Sequence, residues 1–206
     1  MNKRLIWNFE ILPKAPWCWP DSSQLSKEDY YWESRFFWSD EQIIPLIGLN
    51  DSFLEVTRYE IKLREDTYFL LPEQPYNIKA RNLQLFYKPL LKKNPYILGF
   101  GKKIALDRCT HTEILPGQQP ICAQTLVSAV QNYGKKILVK KEALIYTFPI
   151  KPKTKLELAR LSIGNDHYFS VNIESRSSVL AEFITKQLFE GQQTTDYVSF
   201  LRSISC

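Results

Sequence analysis

The clearest periodic stretch of the chain runs from Arg58 to Phe69. Arg58, Glu60, Lys62, Arg64, Asp66 and Tyr68 fall on one parity, and Tyr59, Ile61, Leu63, Glu65, Thr67 and Phe69 on the other. A period of two over that length predicts an antiparallel strand with one charged face and one mostly apolar face. Pro72 to Pro75 reads as a turn. Asn77 to Arg81 then places Lys79 and Arg81 on one face, with Ile78 and Ala80 on the other. Leu83, Leu85 and Tyr87 alternate against Gln84, Phe86 and Lys88. Successive strands repeating one arrangement predict a meander.

Lys136 to Phe148 predicts a further strand, with Lys136, Lys140 and Glu142 on one side and Ile137, Val139 and Ile145 on the other. Leu156 to Ile163 and His167 to Glu174 predict a hairpin turned at Gly164-Asn165-Asp166. Its second strand opposes Tyr168, Ser170, Asn172 and Glu174 to Phe169, Val171 and Ile173. Helical spacing marks Thr125 to Tyr133, Val179 to Phe189 with Gly191 just beyond, and Thr195 to Ile204. Near the start, Leu5 to Leu12 predicts a short strand, followed by an irregular segment rich in Trp and Pro. Trp17 and Trp19 in that segment are packing aromatics on the simpler reading and stacking platforms on the other. Tyr30 to Trp38 predicts an aromatic-rich strand. Ser39 and Gln42 then have capping-box spacing, so a short helix broken by Pro45 is expected. Residues 107–122 read as a polar loop inside one fold. The expected organisation is an extension over residues 1–29 and a single domain over residues 30–206.

Composition narrows the function classes. The chain has 206 residues, 44% hydrophobic and 24% charged, which are ordinary globular values and exclude wholesale disorder. The net charge of +5 fits a polyanionic partner but is too small to demand nucleic acid, so no specific nucleic-acid partner is expected. No Gly-rich phosphate loop or dinucleotide fingerprint occurs. No apolar run approaches a membrane span, and Met1 to Asn8 lacks the apolar stretch of a signal peptide. A cytoplasmic location without a membrane partner is therefore expected. Cys18, Cys109, Cys122 and Cys206 lack the paired spacing of a structural zinc site. His111 and His167 offer no nucleophile-base arrangement.

Two arrangements satisfy the charged faces. An antiparallel sheet commonly has one wet face, and the charges could simply meet solvent. Alternatively the polar faces turn inward and line a barrel. Buried charges must then be paired or occupied by a ligand. A lumen rich in Arg and Lys with a few carboxylates suits a polyphosphate, with cations on the phosphoryl oxygens and carboxylates on a bridging divalent ion.

Taken in order, the pieces resemble the CYTH, or triphosphate tunnel, superfamily across roughly residues 30–202. Tyr31-Trp32-Glu33-Ser34-Arg35 is similar to the family's ExExK strand. Arg64 to Leu70, Asn77-Ile78-Lys79-Ala80-Arg81 and Leu85-Phe86-Tyr87-Lys88 follow its next strands. Lys140-Lys141-Glu142, Leu156 to Leu161, Val171-Asn172-Ile173-Glu174 and the closing Asp196 to Leu201 match its second half. The departures are Tyr31 for the first Glu, Arg35 for the closing Lys, and Glu142 for a basic residue.

The resemblance implies an α+β fold, an antiparallel closed or nearly closed β-barrel (tunnel) of about eight strands with flanking helices. It implies metal-dependent hydrolysis of an inorganic or organic triphosphate. Arg35, Lys62, Arg64, Lys79, Arg81, Lys88 and Lys140 would bind phosphate oxygens. Glu33, Glu157 and Glu174 would hold Mg²⁺ or Mn²⁺, with Glu33 and Glu174 catalytic and Glu60, Asp66 or Glu142 as substitutes for the missing ligand. Two other functions remain open: a non-catalytic relative binding a polyphosphate or other polyanion, and an interaction protein docking a protein partner through its aromatic N-terminal segment.

Overall fold

The computed structural model describes residues 2–205, so Met1 and Cys206 lie outside the described residues. The chain opens with β1 (Lys3–Ile6) and β2 (Phe9–Leu12), then β3 (Tyr31–Ser39), β4 (Ile44–Ile47) and the long β5 (Tyr59–Leu70). The meander follows as β6 (Asn77–Arg81), β7 (Gln84–Lys88), β8 (Leu90–Lys93), β9 (Leu98–Phe100) and β10 (Ile104–Ala105). Next come β11 (Ile114–Leu115), β12 (Ile121–Cys122) and α1 (Ala123–Tyr133). The second half is β13 (Lys135–Thr147), β14 (Thr154–Ile163), β15 (Asp166–Ser175), α2 (Ser178–Phe189) and α3 (Tyr197–Ser203).

Ten strands form one antiparallel sheet in the order β10-β7-β6-β5-β13-β14-β15-β3-β9-β8. The sheet curls into a half-barrel, and the chain itself bridges the two ends. Strand β7 runs into β8 past Pro89, whose missing N–H interrupts the ladder, and the Gly101 N–H donates to the Pro89 carbonyl at 2.9 Å. β7 pairs with β6 and β10, while β8 pairs with β9, which pairs with β3. Counting β7 with β8 and β9 with β10 as bent halves, the ten segments make eight staves. The α+β, nearly closed antiparallel barrel expected from the sequence is the architecture found.

Exposure decides which face turns inward. On β5, Ile61 and Leu63 are 66% and 75% exposed, whereas Asp66 and Tyr68 are buried. The charged parity therefore lines the concave side and the nominally apolar parity meets solvent. The same inversion holds on β6, where Ile78 is packed outward under α1 while Lys79 lines the interior.

Three apolar clusters position this lumen. Inside, α3 inserts Tyr197, Val198, Phe200 and Leu201 against Tyr68, Val139, Ala143, Ala159 and Leu161, filling one end of the barrel. The Phe37 and Phe200 rings stack with centroids 3.8 Å apart. Outside, α1 packs Leu126 and Val130 over Ile78 and Tyr87. On the far side α2 packs Ile184, Leu188 and Phe189 onto Phe36, Leu158, Val171 and Ile173.

Local corrections follow from turn chemistry. The expected strand from Leu5 to Leu12 is a hairpin, because Trp7 adopts a left-handed φ of 47° and reverses the chain. The expected helix after Ser39 is absent. Its capping-box spacing closes a turn instead, with the Ser39 N–H donating to Gln42 Oε1 at 3.3 Å. Pro45 disfavours helix, and β4 pairs parallel with β2, burying Ile44 and Leu46 completely. The three predicted helices are present with ends shifted by at most two residues. Among the described residues, no helix is long and apolar enough to cross a membrane.

Phe9 and Ile11 belong to the same cluster as α2 and the barrel wall. Residues 3–12 are thus a structural coat on the barrel. Phe9→Ala should cost about 3–5 kcal/mol through transfer and cavity terms, read as a lower urea midpoint with an unchanged slope.

Candidate anion-binding lumen

The polar half of the barrel encloses a cavity of about 130 Å³. Its walls come from β3, β5, β6, β7, β13, β14 and β15. Cross-strand register sets the charge pattern. Arg64 on β5 faces Lys141 on β13, and Glu33 on β3 faces Glu174 on β15. Glu157 on β14 faces Asn172, which in turn faces Arg35. One wall is therefore mostly cationic, with Arg64, Lys79, Lys88 and Lys141, and the opposite wall carries Glu33, Glu157 and Glu174.

Most of these charges are internally paired. Glu157, 8% exposed, accepts from Lys141 Nζ at 2.9 Å and from Arg35 Nη1 at 3.3 Å. Glu33 accepts from Lys88. Asp66 is held by three donors: Arg81 Nε and Nη2, each at 2.6 Å, and Lys79 Nζ at 3.0 Å. The cations are braced from behind by rings. The Arg35 guanidinium lies 4.7 Å from the Tyr197 centroid, and the Lys88 ammonium 4.2 Å from that of Phe100.

The titration behaviour follows from these contacts. Burial opposes ionisation of Glu157, but Lys141, Arg35 and Arg64 outweigh it and hold the carboxyl well below its usual range. Burial likewise opposes ionisation of Glu33 and Asp66, and their cations outweigh it. Glu174 differs: burial, then the Glu33 charge, raise it, and its nearest cation is Lys155 at 3.7 Å. Burial pushes Lys79 down to about 8, with Arg81 and Lys141 adding like-charge repulsion against the pull of Asp66. Lys103, over the Phe86 ring, is lowered by burial and then by Arg81.

The expected residues divide as follows. Glu33, Arg35, Arg64, Lys79, Lys88, Glu157 and Glu174 meet at the cavity. Arg81 sits behind, on Asp66. Lys62 does not line the cavity and pairs with Glu60 at 2.8 Å. Lys140 is on the outer face, its side chain 64% exposed, 3.8 Å from Glu65. The lumen lysine of β13 is Lys141, on the parity of Ile137, Val139 and Ile145. It shares a strand face with those side chains, and their burial shows that this face turns inward. Glu142, proposed as a substitute ligand, is also outside, paired with Arg160 at 3.0 Å. Asn172, Tyr68 and Tyr197 were not among the expected site residues and line the cavity.

The carboxylates do not fit a divalent ion as arranged. Such an ion needs several free oxygens at about 2.0–2.6 Å. Here Glu33 and Glu157 are occupied by ammonium and guanidinium groups. Among the described residues no three His, Cys, Asp or Glu side chains are grouped closely enough to hold one.

No protein-family model matches the sequence, and no curated protein matches it. Among solved structures, the chain is similar to a Bacillus halodurans protein described as "a putative adenylate cyclase". The identity is 10%, the match covers 82% of this chain and 96% of that one, and the TM-score is 0.39. At that score the likeness carries no argument about activity.

The folded-state pKa values of Glu33, Asp66 and Glu157 lie below their ordinary values. Their contribution to stability is present above about pH 4.5 and is lost as the pH falls through the folded values. Glu157→Ala, which strands Lys141 and Arg35 in the wall, should cost about 3–5 kcal/mol at neutral pH. The acid-denaturation profile of that variant should be flatter below pH 4.5 than that of the wild type, measured by circular dichroism against pH.

Proposed function

We propose that the lumen binds a compact polyphosphate, with a triphosphate group as the ligand class. The observation that carries this reading is the surplus of convergent cations. Arg64 makes no ion pair within 4 Å among the described residues, yet it faces Lys141 and lines the cavity with Lys79 and Lys88. Like charges opposed across strands are destabilising on their own and become favourable when an anion lies between them. The motif order that resembles the triphosphate tunnel superfamily supports the same ligand class. Arg64 and Arg35 would present forked donors, and Lys79, Lys88 and Lys141 point charges. Asp66 would position Lys79 and Arg81 without touching the ligand.

A hydrolytic reading has one observation in its favour. Glu174 carries a raised carboxyl at the same cavity and could accept a proton from an attacking water. Release of phosphate from tripolyphosphate, abolished by Glu174→Gln, would establish that reading. Binding without release would establish the binding function alone.

The test is calorimetric titration of the full chain with tripolyphosphate. Arg64→Gln and Lys141→Gln should each weaken binding by about ten- to hundredfold, the range of a hydrogen bond to a charged group. Lys140→Gln, on the outer face, should leave it unchanged. Absence of binding, or equal effects of Lys140→Gln and Lys141→Gln, would overturn the proposal.

The lowered Lys79 gives a pH signature. A bound anion raises its pKa above about 8, so the complex holds more protons than the free protein and affinity falls as pH rises beyond that value. Near pH 8, binding should take up roughly half a proton, seen by comparing buffers of different ionisation enthalpy. Lys79→Met should remove that uptake.

A further inference from the structure

Glu33 and Glu157 are the buried carboxylates at which a divalent ion would sit if this lumen worked through one. Each already holds an ammonium: Lys88 on Glu33, and Lys141 on Glu157 at 2.9 Å. We propose that Lys88 and Lys141 are built-in counter-cations standing in for a divalent ion, so that the lumen takes its polyphosphate as the metal-free anion. This rests on the polyphosphate reading above and specifies the ionic form of the ligand.

Three features hold the ammonium groups in place. Lys141 is itself only 8% exposed, so displacing it from Glu157 would leave a buried cation unpaired. Lys88 is braced on its other side by the Phe100 ring. Arg35 shares Glu157 and is backed by Tyr197, so the carboxylate is contacted from two directions. An arriving Mg²⁺ would have to dislodge cations from both carboxylates into a low-dielectric wall.

A second feature points the same way. Tyr31, at the start of the strand that carries Glu33 and Arg35, has its ring 4.8 Å from the Arg176 guanidinium. Tyr31 and Arg176 lie outside the cavity lining, Arg176 being 3.9 Å from Asp29, so this strand position brings no carboxylate to the lumen. The cationic wall then determines the preferred ligand charge. A chelate of polyphosphate with Mg²⁺ carries less negative charge than the free anion and brings ordered waters with it. Opposite Arg64, Lys79, Lys88 and Lys141 it gains less Coulomb energy than the free anion does. Magnesium in solution therefore acts as a competitor, lowering the concentration of the form that binds.

The experiment is titration of the full chain with tripolyphosphate, once in EDTA and once in excess Mg²⁺. Binding should occur in EDTA and weaken by about tenfold or more in Mg²⁺. Electron paramagnetic resonance of Mn²⁺ alone should show the free-ion signal undiminished by the protein. Unchanged or tighter binding in Mg²⁺, or Mn²⁺ captured by the protein, overturns the built-in cations and leaves the polyphosphate lumen standing. Absence of binding in both buffers overturns the polyphosphate reading itself.

Discussion

Ionising Glu157 inside the barrel is the constraint around which the rest is arranged. A carboxylate at 8% exposure is tolerated only with cations in contact, and the two that serve it come from different strands. Lys141 arrives from β13, the strand next to Glu157's own, and Arg35 from β3, two strands away on the other side. All three side chains lie on the concave face, where the curl turns them toward one another. The pairing thus ties three neighbouring regions of the curled sheet to one carboxylate. Asp66 repeats the device with Lys79 and Arg81, joining β5 to β6. Glu33 with Lys88 joins β3 to β7, across the region where the sheet's ends meet.

Polar contacts of this kind do not supply a hydrophobic driving force, and the apolar residues are placed to compensate. One end of the interior is given to α3, whose Tyr197 serves both the apolar plug and the cation face under Arg35. The remaining apolar surface lies outside the barrel, beneath α1 and α2 and the hairpin of β1 and β2. The barrel is thus coated on its convex side and charged within. This explains why strands such as β6 bury their aliphatic side chains outward.

The sequence carried the strand pattern, the meander and the three helices, because periods of two and of 3.6 are local properties. It did not carry the direction of the faces. Alternation is symmetric with respect to which way a sheet curls, so the face of Ile61 and Leu63 could be core or surface, and the curl places it in solvent. Lys140 falls outside for the same reason: the charged parity turns inward on β5, whereas on β13 the parity of Ile137, Val139 and Lys141 does. The hairpin at Trp7 and the turn at Ser39 were missed because their signals also fit other structures: a left-handed Trp is unusual, and a capping-box spacing also closes a turn. Among the paired carboxylates, Asp66 was visible as a charge, but its partners depend on register between strands and only coordinates supply that.

The free lumen keeps two like-charge oppositions that a protein under selection for stability alone would lose. Arg64 faces Lys141, and Glu33 faces Glu174. Each such cross-strand pair is destabilising. The acidic opposition is relieved on one side, because Lys88 pairs with Glu33. The basic opposition is relieved on one side by the pairing of Lys141 with Glu157, while the Arg64 guanidinium keeps its charge at any physiological pH. Among the described residues Arg64 makes no ion pair within 4 Å, and what it receives from the wall is a longer-range attraction to Glu157, shared with Lys141 and Arg35. An anion arriving from solution would add to that attraction, and the cavity where it would lie is the one the curled sheet leaves open.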